Sequence, residues 1–207
     1  MASVDTMPTG VRGVVFVRLM AAGLLAVMVG GMPLLAEAGM FAGDPQAPID
    51  AHVAERRIKA AYLYKFASYV EWPHGAFANP HSPVVIGIAG DAALRNELAR
   101  MVEDKSINGR RVQVRSVNPR HPGIGIHVLY AGEMAGSERD ALRRHLASQP
   151  VLLVSDLAQA RALGSMVHFV AVDERLRFDV DLRPVNAGRL KVSALMLSAA
   201  RRVERWP

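Results

Sequence analysis

The chain of 207 residues contains no cysteine. This absence excludes disulfide bonds, thiolate metal sites and cysteine nucleophiles. Aromatic residues are also few, at 6%, while hydrophobic residues make up 51% and charged residues 21%. Such proportions are typical of a folded globular protein rather than a disordered one. The net charge of +6 is carried by scattered arginines and not by one basic run, so we expect no nucleic acid partner.

Recognisable catalytic motifs are missing as well. The sequence has no GxSxG element, and its serines have no recognisable base arrangement. The seven histidines show no paired HxH or HxxxH spacing, so nothing indicates a metal site. They are His52, His74, His81, His121, His127, His145 and His168. His127 and His168 fall within predicted strands, and we interpret them as structural residues. We therefore predict no metal, no cofactor and no enzymatic activity.

The N-terminal region has the pattern of a secretory signal peptide. Arg12 and Arg18 precede an uncharged stretch of apolar and small residues, and small side chains at Ala36 and Ala38 suit a signal peptidase. An uncleaved membrane anchor is the alternative, because the apolar stretch approaches spanning length. Cleavage would leave a periplasmic protein. The predicted organisation is a signal peptide at 1–38, a flexible lead-in at 39–49 and one α/β domain at 50–207.

Five of the twelve aromatic residues lie in one stretch, residues 58–73. This stretch contains Tyr62, Tyr64, Phe66, Tyr69 and Trp72, followed by Pro73. Its composition favours a helix, and the proline ends it. Tyr62, Phe66, Tyr69 and Val70 share one helical stripe. We expect Tyr62 and Phe66 to pack in the core with Phe169 and Phe178, and Trp72 to be an exposed anchor.

The rest of the chain alternates between short apolar strands and helices. Strands are predicted at 84–89, 112–117, 126–130, 151–154, 166–172 and 175–182, and helices at 50–70, 91–102, 136–147, 156–163 and 194–203. The last two strands form a hairpin closed by Asp173 and Glu174. This order predicts a single-domain α/β sandwich in which helices flank a mostly parallel sheet and the C-terminal hairpin is antiparallel.

Two places could bind a small anionic ligand. Gly90 and Asp91 follow a buried strand and open a helix, and helix N-termini at this edge of a sheet attract anions. The glycine pattern lacks the third glycine of a dinucleotide turn, so an ordinary strand-to-helix turn is the simpler interpretation. Arg175 and Arg177 lie on one strand face with Asp179 and Asp181. That row is either a solvated face or a polar platform for a ligand or partner.

The aromatic stretch at 58–73 resembles the opening signature of the YfiR-like periplasmic proteins. Later stretches are similar to the family's first strand and turn, its NGR-type turn and strand, and its C-terminal hairpin and helix. They are residues 84–91, 108–110 with 112–115, 164–169, 175–181 and 190–197. The resemblance covers about residues 50–203.

The resemblance implies a periplasmic negative regulator that binds and inhibits an inner-membrane diguanylate cyclase, which lowers cyclic-di-GMP and biofilm output. It also implies a homodimer, and an outer-membrane peptidoglycan-associated lipoprotein that sequesters the regulator. Candidate partner-binding residues are Tyr69, Glu71, Trp72, Arg175 and Arg177. The alternative function is a periplasmic small-ligand sensor that uses Gly90, Asp91, Arg175 and Arg177. The family's best-known members carry cysteines that form disulfides, so redox control through cysteine does not transfer to this chain.

Overall fold

The computed structural model describes residues 47–147 and 149–204. The predicted signal peptide at 1–38 and most of the predicted lead-in lie outside these residues. Within the described part, no helix combines the length and the apolar character needed to cross a membrane.

The described chain folds into six helices and ten strands. The helices are α1 (Ala47–Ser68), α2 (Ala92–Val102), α3 (Gly136–Leu146), α4 (Ala160–Leu163), α5 (Leu182–Ala187) and α6 (Ala194–Ala199). The strands are β1 (Val70–Glu71), β2 (Val84–Ala89), β3 (Ser106–Ile107), β4 (Arg110–Ser116), β5 (Val128–Ala131), β6 (Leu152–Ser155), β7 (Val167–Val172), β8 (Arg175–Asp181), β9 (Lys191–Val192) and β10 (Arg202–Glu204).

Eight of these strands form one sheet in the order β10-β8-β7-β6-β5-β2-β4-β3. The central strands β4, β2, β5, β6 and β7 run parallel, and β8 turns back antiparallel to β7. A second, two-stranded sheet pairs β1 with β9. The predicted fold class, a mostly parallel sheet with flanking helices and a C-terminal antiparallel hairpin, is confirmed.

Each face of the main sheet is covered by its own hydrophobic core. Along β2, Ile86 and Ile88 face the core that includes α1 and α2, whereas Val85 and Ala89 face the core that includes Leu142 of α3. The alternation follows from the strand geometry, in which successive side chains point to opposite faces. Because β2, β5 and β6 are buried on both faces, their sequences read as continuous apolar runs.

The aromatic stripe of α1 packs on the β7–β8 hairpin. Phe66 is buried, and its ring stands edge-on to Phe178 at a centroid distance of 4.8 Å and stacks on Phe169 at 5.9 Å. Tyr62 is half-buried and stacks on Phe66 at 5.6 Å. The predicted core positions of Phe66, Phe169 and Phe178 are confirmed, and Tyr62 packs at the margin of the same core.

The structure differs from the predicted elements mainly at their ends. Helix α1 begins at Ala47 and ends at Ser68, whereas the sequence predicted a helix at 50–70. The last helix ends at Ala199, and the arginine-rich segment after it forms β10, parallel to β8. β8 is therefore not the edge of the sheet. The backbone N–H and C=O groups on the outer edge of β8 form hydrogen bonds with this segment. The stabilisation from this long-range pairing outweighs the helical preference of the segment's own sequence.

Candidate functional site

The five predicted partner-binding residues lie in two groups at opposite ends of the main sheet. Trp72 contacts His127, which immediately precedes β5, so this group lies at the amino ends of the parallel strands. Tyr69 and Glu71 are close to it in sequence. Arg175, in contrast, pairs with Val172, the last residue of β7. The two groups therefore cannot form one small site.

The group at the amino ends is built on a segment that we call the tryptophan loop, residues 72–83. The Trp72 ring is half-buried and stands edge-on to Phe77 at 6.1 Å and to His127 at 5.7 Å. Phe77 stacks on His127 with centroids 4.2 Å apart. The indole Nε1 of Trp72 is shielded from solvent and has no hydrogen-bond partner among the described residues. Trp72 is therefore largely part of the scaffold, with a smaller exposed surface than the sequence predicted.

Arg110, at the start of β4, holds the tryptophan loop against the sheet through several contacts. Its Nη1 donates hydrogen bonds to the carbonyl oxygens of Asn79 and Ser82, at 3.0 and 2.8 Å. Its guanidinium carbon also lies 4.0 Å from the centroid of the Phe77 ring, which is a cation–π contact. The arginine of the NGR-type turn and the tryptophan that ends the aromatic stretch thus belong to one assembly, although they are 38 positions apart in sequence.

His127 is the buried centre of this assembly. Its Nδ1 accepts a hydrogen bond from the Val85 backbone N–H at 3.1 Å, so the proton is on Nε2, which donates to the Ala76 carbonyl at 3.1 Å. Burial lowers the pKa of His127 below its ordinary value, and the positive charges of Arg110 and Arg115 act in the same direction. The predicted structural role of His127 is confirmed.

A cluster of charged groups that the sequence did not reveal lies at the carboxyl end of the sheet. Lys59 Nζ on α1 contacts Asp156 Oδ2 and Glu55 Oε1, each at 2.7 Å. The buried Tyr130 donates its hydroxyl proton to the same Asp156 oxygen at 2.6 Å. Burial would by itself lower the pKa of Lys59, but the hydrogen bonds to both carboxylates raise it. For Tyr130, burial and the adjacent carboxylate both raise the pKa.

This charged cluster was missed because its members are far apart along the chain, with Lys59 and Asp156 separated by 97 positions. The sequence contains only a weak indication of this cluster. Tyr130 is a polar aromatic residue in a continuous apolar strand, and Asp156 follows the next strand. Parallel strands bring such carboxyl-terminal residues to one edge, so the pair could have been anticipated from the predicted topology.

The alternative ligand site at Gly90 and Asp91 opens onto this edge. Asp91 caps α2, because its Oδ1 accepts a hydrogen bond from the Leu94 N–H at 2.8 Å. Gly90 has a φ of +80°, and a Cβ there would lie 2.4 Å from the Glu133 carbonyl oxygen, so the turn itself requires glycine. The cleft beside it is lined by Asp91, Glu133 and Asp156. These carboxylates oppose binding of an anion at this place.

Arg175 and Arg177 do not complete that cleft. They lie on β8, and three strands (β5, β6 and β7) separate β8 from β2. Both side chains are exposed. Of the other two residues in the row, Asp179 pairs with Arg201 and Asp181 pairs with Arg183. The row is therefore divided into two exposed arginines near the hairpin tip, which have no ion-pair partner among the described residues, and two neutralised aspartates near the sheet.

Within residues 47–147 and 149–204, no group of three or more histidine, aspartate or glutamate side chains is placed to hold a metal ion. The fold is an α/β domain in which the candidate partner-binding residues lie at the two ends of one sheet. Its residues 56–201 match the model of the YfiR/HmsC-like proteins, so the chain belongs to the YfiR/HmsC-like family. The family consists of periplasmic, non-catalytic regulators that act on diguanylate cyclase signalling together with a membrane cyclase.

Proposed function

We propose that this protein is a periplasmic negative regulator that binds the periplasmic domain of an inner-membrane diguanylate cyclase and holds the cyclase inactive. The observation that carries the proposal is the family match across residues 56–201. Lower cyclic-di-GMP and reduced biofilm would follow from its activity. We also propose export by the signal peptide at 1–38, a homodimeric state, and release of the cyclase when a peptidoglycan-associated lipoprotein sequesters the regulator.

The surfaces of the domain support a role in binding a partner protein. Protein interfaces use aromatic and arginine side chains as anchors. Arg175 and Arg177 supply two exposed arginines at one end of the sheet, and Glu71 is exposed at the other. Tyr69 and Trp72 are half-buried, so each offers only part of its ring to a partner. We propose that all five residues contribute to partner contacts, with the arginines giving the larger share.

Gene deletion tests this function directly. We expect deletion to raise cellular cyclic-di-GMP, measured by mass spectrometry of cell extracts, and to increase biofilm. Re-expression of the full chain should restore the parental level. A matched control is the chain without residues 2–38, which should fold but remain in the cytoplasm and fail to restore it. Unchanged cyclic-di-GMP after deletion would refute the proposed function.

A physical test complements the genetic one. Affinity capture of the tagged chain from solubilised membranes should recover a protein with a diguanylate cyclase domain. Capture that repeatedly returns neither a cyclase nor an envelope lipoprotein would count against the proposed partners.

A further inference from the structure

The outer half of the β7–β8 hairpin extends beyond the strands on either side of it. The two strands remain paired up to Val172 and Arg175. On one side, however, the pairing of β6 with β7 ends at the pair Ser155 and His168. On the other side, the pairing of β10 with β8 begins only at the pair Arg202 and Asp179. Residues 169–172 and 175–178, which we call the arginine arm, therefore have no neighbouring strand on either outer edge within the described part of the chain.

One face of the arginine arm is fixed to the body of the protein. Phe169 and Phe178 are buried against Tyr62 and Phe66 of α1, and Leu176 packs on the same core. The arm is therefore held in one position before any partner arrives. Such preorganisation reduces the entropy that binding would otherwise cost.

The other face of the arm carries apolar and basic side chains and packs against neither core. Val170 lies opposite Arg177, and Val172 lies opposite Arg175. Both valines are half-buried, and they are absent from the residues that contact either hydrophobic core. Neither arginine forms an ion pair or a side-chain hydrogen bond with any described residue. This face therefore presents two unneutralised positive charges beside a small apolar strip.

The outer edge of β8 also offers backbone groups for pairing. The Arg201 N–H donates to the Phe178 carbonyl at 2.8 Å, so Phe178 directs its backbone towards this outer side. Backbone directions alternate along a strand, so Leu176 directs its N–H and C=O to the same side. No described strand lies beyond Leu176, because β10 pairs only from Asp179 onward.

We propose that the arginine arm binds an extended, acidic segment of a partner protein, which adds as a strand along the outer edge of β8. Backbone bonds to Leu176 hold the segment, and acidic side chains at alternate positions lie opposite Arg175 and Arg177. Residues two apart on a strand are separated by about 6.8 Å, so acidic residues at i and i+2 match the two arginines. The identity of the partner as a cyclase rests on the proposed function, whereas the chemistry of the segment rests on the arm.

The positive charge of the arginine arm favours binding of a different protein over pairing with a second copy of this chain. Pairing β8 edge to edge with its copy would bring the Arg175 and Arg177 side chains of both molecules together on one face. Like charges directly opposite each other destabilise a strand pair. An acidic segment is instead stabilised by electrostatic attraction to both arginines.

The cellular test compares two double variants in the deletion strain. Arg175→Glu with Arg177→Glu reverses the charge of the arm, and Arg143→Glu with Arg144→Glu makes the same change on exposed positions of α3. We expect the arm variant to leave cyclic-di-GMP within twofold of the deletion strain and the α3 variant to restore the parental level. Full restoration by the arm variant would overturn the arm proposal while leaving the proposed function intact.

A peptide test is independent of the cyclase and of the proposed function. The probes are two acetylated and amidated octapeptides, one alternating glutamate with valine and the other alternating lysine with valine. We expect the full chain to bind the glutamate peptide at least tenfold more tightly, with slower hydrogen exchange at the Leu176 amide. The Arg175→Glu and Arg177→Glu double variant should lose this preference. Equal affinity for the two peptides, or unchanged exchange at Leu176, would overturn the proposal.

Discussion

Single residues with several partners hold this domain's most distinctive loop in place. Arg110 binds two carbonyls of the tryptophan loop and covers the Phe77 ring, while His127 connects the loop to the sheet through Ala76 and Val85. An arginine fits this position because its planar group can donate several hydrogen bonds and stack on an aromatic ring together. Arg110, the arginine of the NGR-type turn, therefore holds the loop that follows the aromatic stretch.

The buried His127 should make stability depend on pH. Its pKa is lower in the folded state than in the unfolded chain, where it is about 6.5. Above that pH the imidazole is neutral in both states. As the pH falls below about 6.5, the unfolded chain takes up the proton first, so the free energy of unfolding decreases until the folded pKa is reached. The slope for one proton is at most about 1.4 kcal/mol per pH unit.

The His127→Asn variant isolates this effect, because the asparagine Oδ1 can take the place of Nδ1 and accept from Val85. We expect urea unfolding at pH 7, 6 and 5 to show a smaller loss of free energy in the variant than in the parent. The other six histidines are common to both proteins and cancel in the comparison. Parallel pH curves for the two proteins would contradict the prediction.

At the scale of elements, the β7–β8 hairpin contains a strained turn. Asp173 and Glu174 have φ values of 48° and 57°, the left-handed pair of a type I′ turn. This turn matches the twist of the strands, but neither residue is the asparagine or glycine that tolerates it best. Each non-glycine residue in this region costs about 1 kcal/mol or more.

Replacing the turn should therefore stabilise the protein. We expect Asp173→Asn combined with Glu174→Gly to raise the free energy of unfolding by about 1 kcal/mol, because Asn-Gly favours this geometry. For a domain of this size the melting temperature should rise by about 2–4 °C, measured by differential scanning calorimetry. Alanine at both positions is the control and should lower it. A lower melting temperature for the Asn-Gly variant would show that the turn is not strained.

The elements that the sequence predicted well are those specified by their own residues. The continuous apolar run of β2, the capped helix α2 and the two-residue hairpin were all recognisable locally. β10 was not, because Arg202–Glu204 follows a helical pattern and becomes a strand only through its partner β8. The pairing of Glu71 with Lys191 is similarly long-range. The same limit applies to the charged cluster, which joins Lys59 to Asp156 across the fold.

At the scale of the whole molecule, one sheet supports both cores. Leu129 of β5 packs on the side of α3, while its neighbours Val128 and Tyr130 pack on the side of α1. Unfolding of the shared strands therefore disrupts both cores together.

This arrangement predicts a single cooperative unfolding transition. Trp72 fluorescence, recorded with Trp206→Phe to remove the second tryptophan, should have the same urea midpoint as the far-ultraviolet circular dichroism. Leu142→Ala lies in the opposite core and should cost about 2–5 kcal/mol. It should shift both midpoints equally, although Leu142 and Trp72 belong to different faces. A shift confined to the circular dichroism would indicate two independent units.

The separation of the tryptophan loop and the arginine arm also constrains how two partners could compete. A parallel strand of six residues such as β2 spans about 20 Å, so a small partner seated at one end leaves the other end uncovered. If a second partner at the opposite end displaced the first, the two partners would not overlap. The two sites would then have to be linked by a coupling free energy within the protein. Direct steric competition is possible only between partners that bind at the same end of the sheet.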